Sequence, residues 1–87
     1  MRVLELYTHE GCLTRVSALE MLRKILASYH EISFTIIDVL KFPDKAKALG
    51  IKMSPTLVMD GKVISVGLLD ENELRAILQT EQTIKAG

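Results

Sequence analysis

Cysteine occurs once in these 87 residues, so no internal disulfide is open to the chain. That excludes a disulfide-stapled secreted scaffold, and one Cys with two His supplies too few ligands for a structural zinc site. Tryptophan is absent, proline occurs twice and glycine five times, so no Pro- or Gly-rich linker divides the sequence. An excess of one charge is missing as well, because eleven basic and eleven acidic residues cancel. Such a balance carries no electrostatic footprint for nucleic acid or an anionic membrane. No apolar run reaches the roughly 18–20 residues of a membrane span, and residues 1–12 lack the apolar centre of a signal peptide. The expectation is a cytoplasmic protein, a setting in which a lone thiol persists.

Hydrophobic content, by contrast, is ample: 48% of residues are hydrophobic and mean hydropathy is +0.23. A chain this short holds one core, so a single domain over residues 1–87 is expected, with an ordered part at about 2–79 and a polar C-terminal tail. Charge is slightly segregated. Lys41, Lys45, Lys47 and Lys52 fall together, as do Asp70, Glu71, Glu73 and Glu81. Solvated helix faces account for both groups, with a docking surface as the alternative.

Hydrophobic periodicity then sets the elements. Val3-Leu4-Glu5-Leu6-Tyr7 reads as a short, mostly buried strand. From Leu13 to about Tyr29 the spacing is helical, with Val16, Leu19, Leu22 and Leu26 on one stripe. His30 would settle the carbonyls at the end of that helix. Ser33 to Val39 is β-branched and nearly continuously apolar, as a central strand covered on both faces would be. Pro43 opens a short helix that Gly50 closes in a left-handed conformation, with Ala46 and Leu49 facing inward. Two β-runs separated by Asp60-Gly61 predict a hairpin with a type I′ turn. Asp70 and Glu73 form a capping box for a last helix carrying Leu74, Ile77 and Leu78. The fold class is therefore α/β: a βαβαββα chain making a mixed four-stranded sheet with helices on both faces.

This order brings chemistry to one place. Gly11-Cys12 sits where the first strand hands over to the long helix. A thiol there meets unpaired N–H groups and the positive end of the helix dipole, both of which favour thiolate. Arg15, three residues on, adds a second positive influence. The thiolate is the form that attacks disulfides. A buried, inert cysteine is the competing reading. His9 lies in the same loop, as a proton acceptor or as an ordinary polar loop residue. Ser54-Pro55-Thr56 leads into the hairpin, where an X-Pro bond is normally trans. Met53 lines a groove beside it or serves the core.

Strand, Cys12 at a helix start, second strand, short helix, Ser54-Pro55-Thr56, Asp60-Gly61 hairpin and final helix together resemble the thioredoxin superfamily in its minimal, glutaredoxin-sized form. The resemblance implies that Pro55 is cis and packs beside Cys12, leaving the preceding backbone free to pair with a bound peptide or glutathione. It implies that Cys12 is the attacking cysteine. One departure is plain: Cys12-Leu13-Thr14-Arg15 has arginine where the family's Cys-x-x-Cys motif has its resolving thiol. The lysine that glutaredoxin-like sites often carry ahead of the cysteine is replaced by His9 and Glu10, and the Cys-Gly-Phe-Ser signature of iron–sulfur-binding monothiol glutaredoxins is absent.

A second resemblance is to the circadian clock KaiB family over residues 4–57, through Leu4-Glu5-Leu6-Tyr7, Arg15 to Leu22, Ile37 to Pro43 and Ser54-Pro55-Thr56-Leu57. Members of that family bind partners without thiol chemistry and can switch folds; the tight hairpin here leads us to expect no switching. Two functions of different class follow. One is a monothiol redox protein, with Cys12 and Arg15 catalytic and His9, Gly11, Ser54, Pro55 and Thr56 docking the substrate. Its partners would be a protein thiol or disulfide, with glutathione as candidate co-substrate and no bound cofactor or metal. The other is a KaiB-like protein-binding module in which Cys12 is incidental. Either would act as a monomer or homodimer, and Cys12 pairing with itself across a dimer is a third reading. Neither involves nucleic acid or membrane.

Overall fold

The chain alternates strand and helix before it doubles back. The computed structural model, which describes residues 2–67 and 70–86, gives β1 (Arg2–Thr8), α1 (Arg15–Leu26), β2 (Ile32–Asp38), α2 (Pro43–Ala48), β3 (Thr56–Met59), β4 (Lys62–Val66) and α3 (Glu71–Ala86). The four strands lie in the order β2-β1-β3-β4. β1 runs parallel to β2 and antiparallel to β3, and β3 pairs antiparallel with β4.

Alternation along the strands separates two cores. Leu4, Leu6, Leu57 and Met59 point to one face, where Leu22 and Ile25 of α1 and Leu74 and Leu78 of α3 cover them. Tyr7 and Val58 point to the other face and meet Ile37 and Ala46, so α2 covers that side. Each fully buried leucine stabilises the fold by about 1.5–3 kcal/mol through surface withdrawn from water. At the surface, Glu71 accepts from Arg75 one turn along α3 at 3.1 Å and from Lys24 of α1 at 3.4 Å. Those two cations, Arg75 first, hold the Glu71 carboxyl below its ordinary range.

The turns follow their residues. Asp60 and Gly61 have φ of +50° and +83°, the two positive values a type I′ turn requires. The Asp60 carboxylate also accepts the Val3 N–H at 2.8 Å and faces Arg2 at 3.6 Å, pinning the hairpin to the start of β1. Gly50 is left-handed at φ +70°. Asp70 caps α3 by accepting the Glu73 N–H at 3.1 Å.

Four expectations need correction. β2 is an edge strand rather than a central one, and Thr35 and Ile36 are exposed. Its apolar run reflects α1 and α2 reaching only parts of its two faces, while β1 and β3 hold the centre. Helix α1 begins at Arg15, not Leu13; Leu13 is 99% exposed and Val16 63%, so the buried stripe starts at Ala18 and Leu19. The carbonyls at its far end are taken by the N–H groups of Ala27, Ser28 and Tyr29 rather than by His30. The polar stretch after Gln79 continues α3 to Ala86, consistent with its uninterrupted run of helix-tolerant residues; Gly87 lies outside the described residues.

Register decides where the site lies. Tyr7 is opposite Thr56 in the antiparallel β1–β3 pair. The residues that follow β1 and those that precede β3 therefore emerge side by side at one end of the sheet.

Candidate functional site

Cys12 stands in the turn between β1 and α1. Its N–H donates to the His9 carbonyl at 3.1 Å, and its own carbonyl accepts the Arg15 N–H at 3.2 Å. These bonds bend the chain so that the sulfur lies ahead of α1, partly exposed. Thr14 is the N-cap residue of α1, and its hydroxyl sits 3.4 Å from the Cys12 sulfur instead of capping the helix. A Cβ at Gly11 would come within 3.3 Å of the His9 ring, so a larger residue there requires the ring to shift by a few tenths of an ångström.

The neighbouring segment arrives from the other side of the sheet end. The Ser54–Pro55 peptide is cis and Pro55 is buried. The Pro55 carbonyl accepts the Gly67 N–H at 2.8 Å, and the buried Thr56 hydroxyl donates to the Met53 carbonyl at 2.6 Å. Thr56 thus braces the loop from within. The Ser54 hydroxyl donates to the Thr8 hydroxyl at 3.1 Å, tying this loop to the end of β1. Among the described residues, neither the N–H nor the carbonyl of Ser54 has a backbone partner.

Electrostatics at the sulfur follow from these neighbours. The Cys12 thiol is lowered from an ordinary 9.0 to about 6. The Ser54 hydroxyl lowers it most, then the Thr14 hydroxyl, with smaller help from the Thr14 N–H and the Thr8 hydroxyl. Partial burial opposes them. Each donor stabilises the anion more than the neutral thiol, and that difference is the shift. The Arg15 guanidinium, expected to supply the positive influence, is not among these groups, although Arg15 opens α1 next to the thiol. Among backbone groups, the Thr14 N–H at the N-cap of α1 contributes to the lowering.

A groove of about 200 Å³ lined by His9, Val39, Ile51, Lys52, Met53 and Ser54 opens beside this cluster. Leu13 and Met53, the latter 58% exposed, add apolar surface at the same end. The structure therefore gathers Cys12, Arg15, His9, Gly11, Ser54 and Pro55, with Thr56 behind them. Thr8 and Thr14 escaped the sequence reading. Thr14 carried a signal, a threonine just before the helix, which starting that helix at Leu13 concealed. Thr8 carried none, because only tertiary pairing brings it to Ser54.

A family model described as a thioredoxin domain matches residues 3–79. No curated protein sequence matches the chain. Among solved structures, reduced desulfothioredoxin from Desulfovibrio vulgaris Hildenborough superimposes with a TM-score of 0.79 at 25% identity, over 91% of this chain and 80% of that one. A mutant thioredoxin from Halobacterium salinarum is 30% identical with a TM-score of 0.71, over 91% of this chain and 73% of that one. Thioredoxin 1 from Thermosipho africanus shares the fold at 16% identity, with a TM-score of 0.79 over 98% and 99% of the two chains.

Proposed function

The chain belongs to the thioredoxin-domain family, and from that premise we propose that it is a monothiol thiol–disulfide exchange protein. Cys12 is its nucleophile, and glutathione or a protein thiol is its partner. The observation that carries this reading is a partly exposed thiol, lowered to about 6 by hydroxyl donors and set beside the cis Ser54–Pro55 peptide. Such a thiol is mostly ionised at neutral pH yet keeps a pKa close enough to ambient to remain a good nucleophile.

In the exchange, the Cys12 thiolate attacks one sulfur of a disulfide. A new S–S bond forms, the old one breaks, and its electron pair departs on the released thiolate, which takes a proton from water. Arg15 stands in place of a resolving thiol, so the mixed disulfide persists until an external thiolate attacks the sulfur bonded to Cys12. That second attack expels Cys12 as thiolate and leaves the substrate joined to the incoming thiol. A low pKa at Cys12 speeds this departure. The N–H and carbonyl of Ser54, without a backbone partner among the described residues, are suited to align an extended substrate segment, and Lys52 on the groove favours a ligand carrying carboxylates.

Turnover of a glutathione mixed-disulfide substrate tests the proposal. Activity that disappears in Cys12→Ser supports it; a folded wild-type protein with no activity on glutathione or protein mixed disulfides overturns it. The KaiB-like alternative predicts instead that Cys12→Ser leaves partner binding intact. Exposed Leu13 and Val16 beside the thiol are the surface such binding would use.

A further inference from the structure

Three grooves meet on the sheet face that α2 covers, and Ile51 and Lys52 line all of them. One, of about 330 Å³, runs past Met53 to Val63 and Val66 of β4. A second, of about 310 Å³, lies between Val39 and the α2 residues Pro43, Ala46 and Lys47. The third is the 200 Å³ groove bordered by His9, whose carbonyl accepts the Cys12 N–H at 3.1 Å. Because they share residues, the three form one surface hollow around the connection from α2 to β3, and one end reaches the turn that holds Cys12.

The floor of this hollow is apolar and its rim carries one sign of charge. Met53 and Val66 are exposed within it, and Leu40 and Phe42 extend exposed apolar surface ahead of Pro43. No carboxylate lines any of the three grooves. Lys47 and Lys52 are exposed, and neither has an ion-pair partner among the described residues. Lys41 and Lys45 add to the same end, with only Asp44 in the first turn of α2 against them. The opposite face differs: there Lys24 and Arg75 are both matched by Glu71.

Lysines on a solvated helix face need no partner, but apolar hollows are poorly served by water. A ligand that answers both features has carboxylates on either side of an apolar side chain. Nucleic acid offers phosphates without such side chains, and a bilayer surface is flat where this site is concave. We propose that the hollow around Ile51 and Lys52 docks an acidic, extended segment of a partner protein, with carboxylates facing Lys47 and Lys52 and an aliphatic or aromatic side chain seated on the apolar floor. This goes beyond the exchange reading and requires no thiol chemistry.

The test is fluorescence anisotropy with the intact protein and a labelled peptide carrying two Glu on each side of a Leu-Phe pair. The peptide binds, and replacing every Glu by Gln, or Leu-Phe by Ala-Ala, weakens binding. Lys47→Glu and Lys52→Glu each weaken it by about fivefold, the scale of one exposed charge pair reversed. Met53→Ser weakens it as well. Arg23→Glu, an equal change of net charge on exposed α1, leaves it unchanged. Added salt reduces the effect of the lysine variants by screening.

No binding below about 1 mM, equal binding of the Gln peptide, or equal loss in Arg23→Glu and Lys52→Glu overturns the proposal. So does tighter binding of a duplex oligonucleotide or of anionic vesicles that is lost in Lys52→Glu, and so does self-association of the wild type lost in the same variant. Binding is read without turnover, so an inactive Cys12 leaves this result intact, and a peptide that fails to bind leaves the exchange reading standing.

Discussion

The hydroxyls of Thr8 and Ser54 meet at 3.1 Å although the two residues are 46 positions apart in the chain. That contact joins the end of β1 to the loop carrying the cis Ser54–Pro55 peptide, and it places uncharged donors where an arginine was expected to act. Thiolate stabilisation by hydroxyls has consequences that differ from stabilisation by a cation.

Alkylation of wild-type Cys12 should follow a titration with its midpoint near 6. Ser54→Ala should raise that midpoint more than Thr14→Ala, in the order of their contributions. Arg15→Gln should move it least. A larger effect from Arg15→Gln than from Ser54→Ala would show that charge, not hydroxyl donation, governs the sulfur.

Stability should depend on pH through the same group. The folded thiol titrates near 6 and an ordinary one at 9.0, so the folded state binds the thiolate form preferentially. The resulting stabilisation is complete above the unfolded value and is lost as pH falls through the folded value. The urea midpoint of the wild type relative to Cys12→Ser should therefore rise between pH 6 and pH 9. A flat difference across that window contradicts the depressed pKa.

Restoring a second thiol should change the reaction. Arg15 begins α1 with its N–H bonded to the Cys12 carbonyl at 3.2 Å, one helical turn from the nucleophile. Arg15→Cys should confer measurable dithiol reduction of insulin, with the wild type inactive in that assay. A folded Arg15→Cys protein without such activity would count against the exchange geometry.

Packing predicts a larger, purely structural effect. Leu22 is 0% exposed between α1 and the sheet. Leu22→Ala should cost about 2–5 kcal/mol in urea unfolding through lost burial and the cavity left behind. Cys12 alkylation should keep its midpoint wherever the variant remains folded.

The hairpin offers a local test of backbone conformation. Gly61 holds φ of +83° with open space where a Cβ would stand. Gly61→Ala should thus destabilise by about 1–2 kcal/mol through the left-handed backbone alone. An unchanged unfolding midpoint would mean that the turn relaxes without penalty.

Local chemistry was readable residue by residue. Asp60-Gly61 announced its turn because few residue pairs accept two positive φ angles. Gly50 and Pro43 bracketed α2 for similar reasons, and the leucine spacing of α1 located its buried face from Leu19 onward. The element order followed, whereas only the family resemblance suggested that Cys12 stands beside Ser54-Pro55.

Pairing was not readable in that way. Ser33 to Val39 has the apolar continuity of a central strand, yet β2 lies at the edge, because which strand neighbours which depends on how the helices pack and not on any one segment. The first turn of α1 was misplaced because Leu13 fits the apolar period while standing 99% exposed.

By itself, then, the sequence determined the periodicities, the turns, the one available thiol and the arginine three residues after it, since each depends on residues close together in the chain. Only the tertiary structure decided which groups lower the thiol. Thr8, Thr14 and Ser54 come from three different segments, and a hydrogen bond acts over about 3 Å whatever the distance along the chain. No periodicity encodes that meeting; the β1–β3 register does.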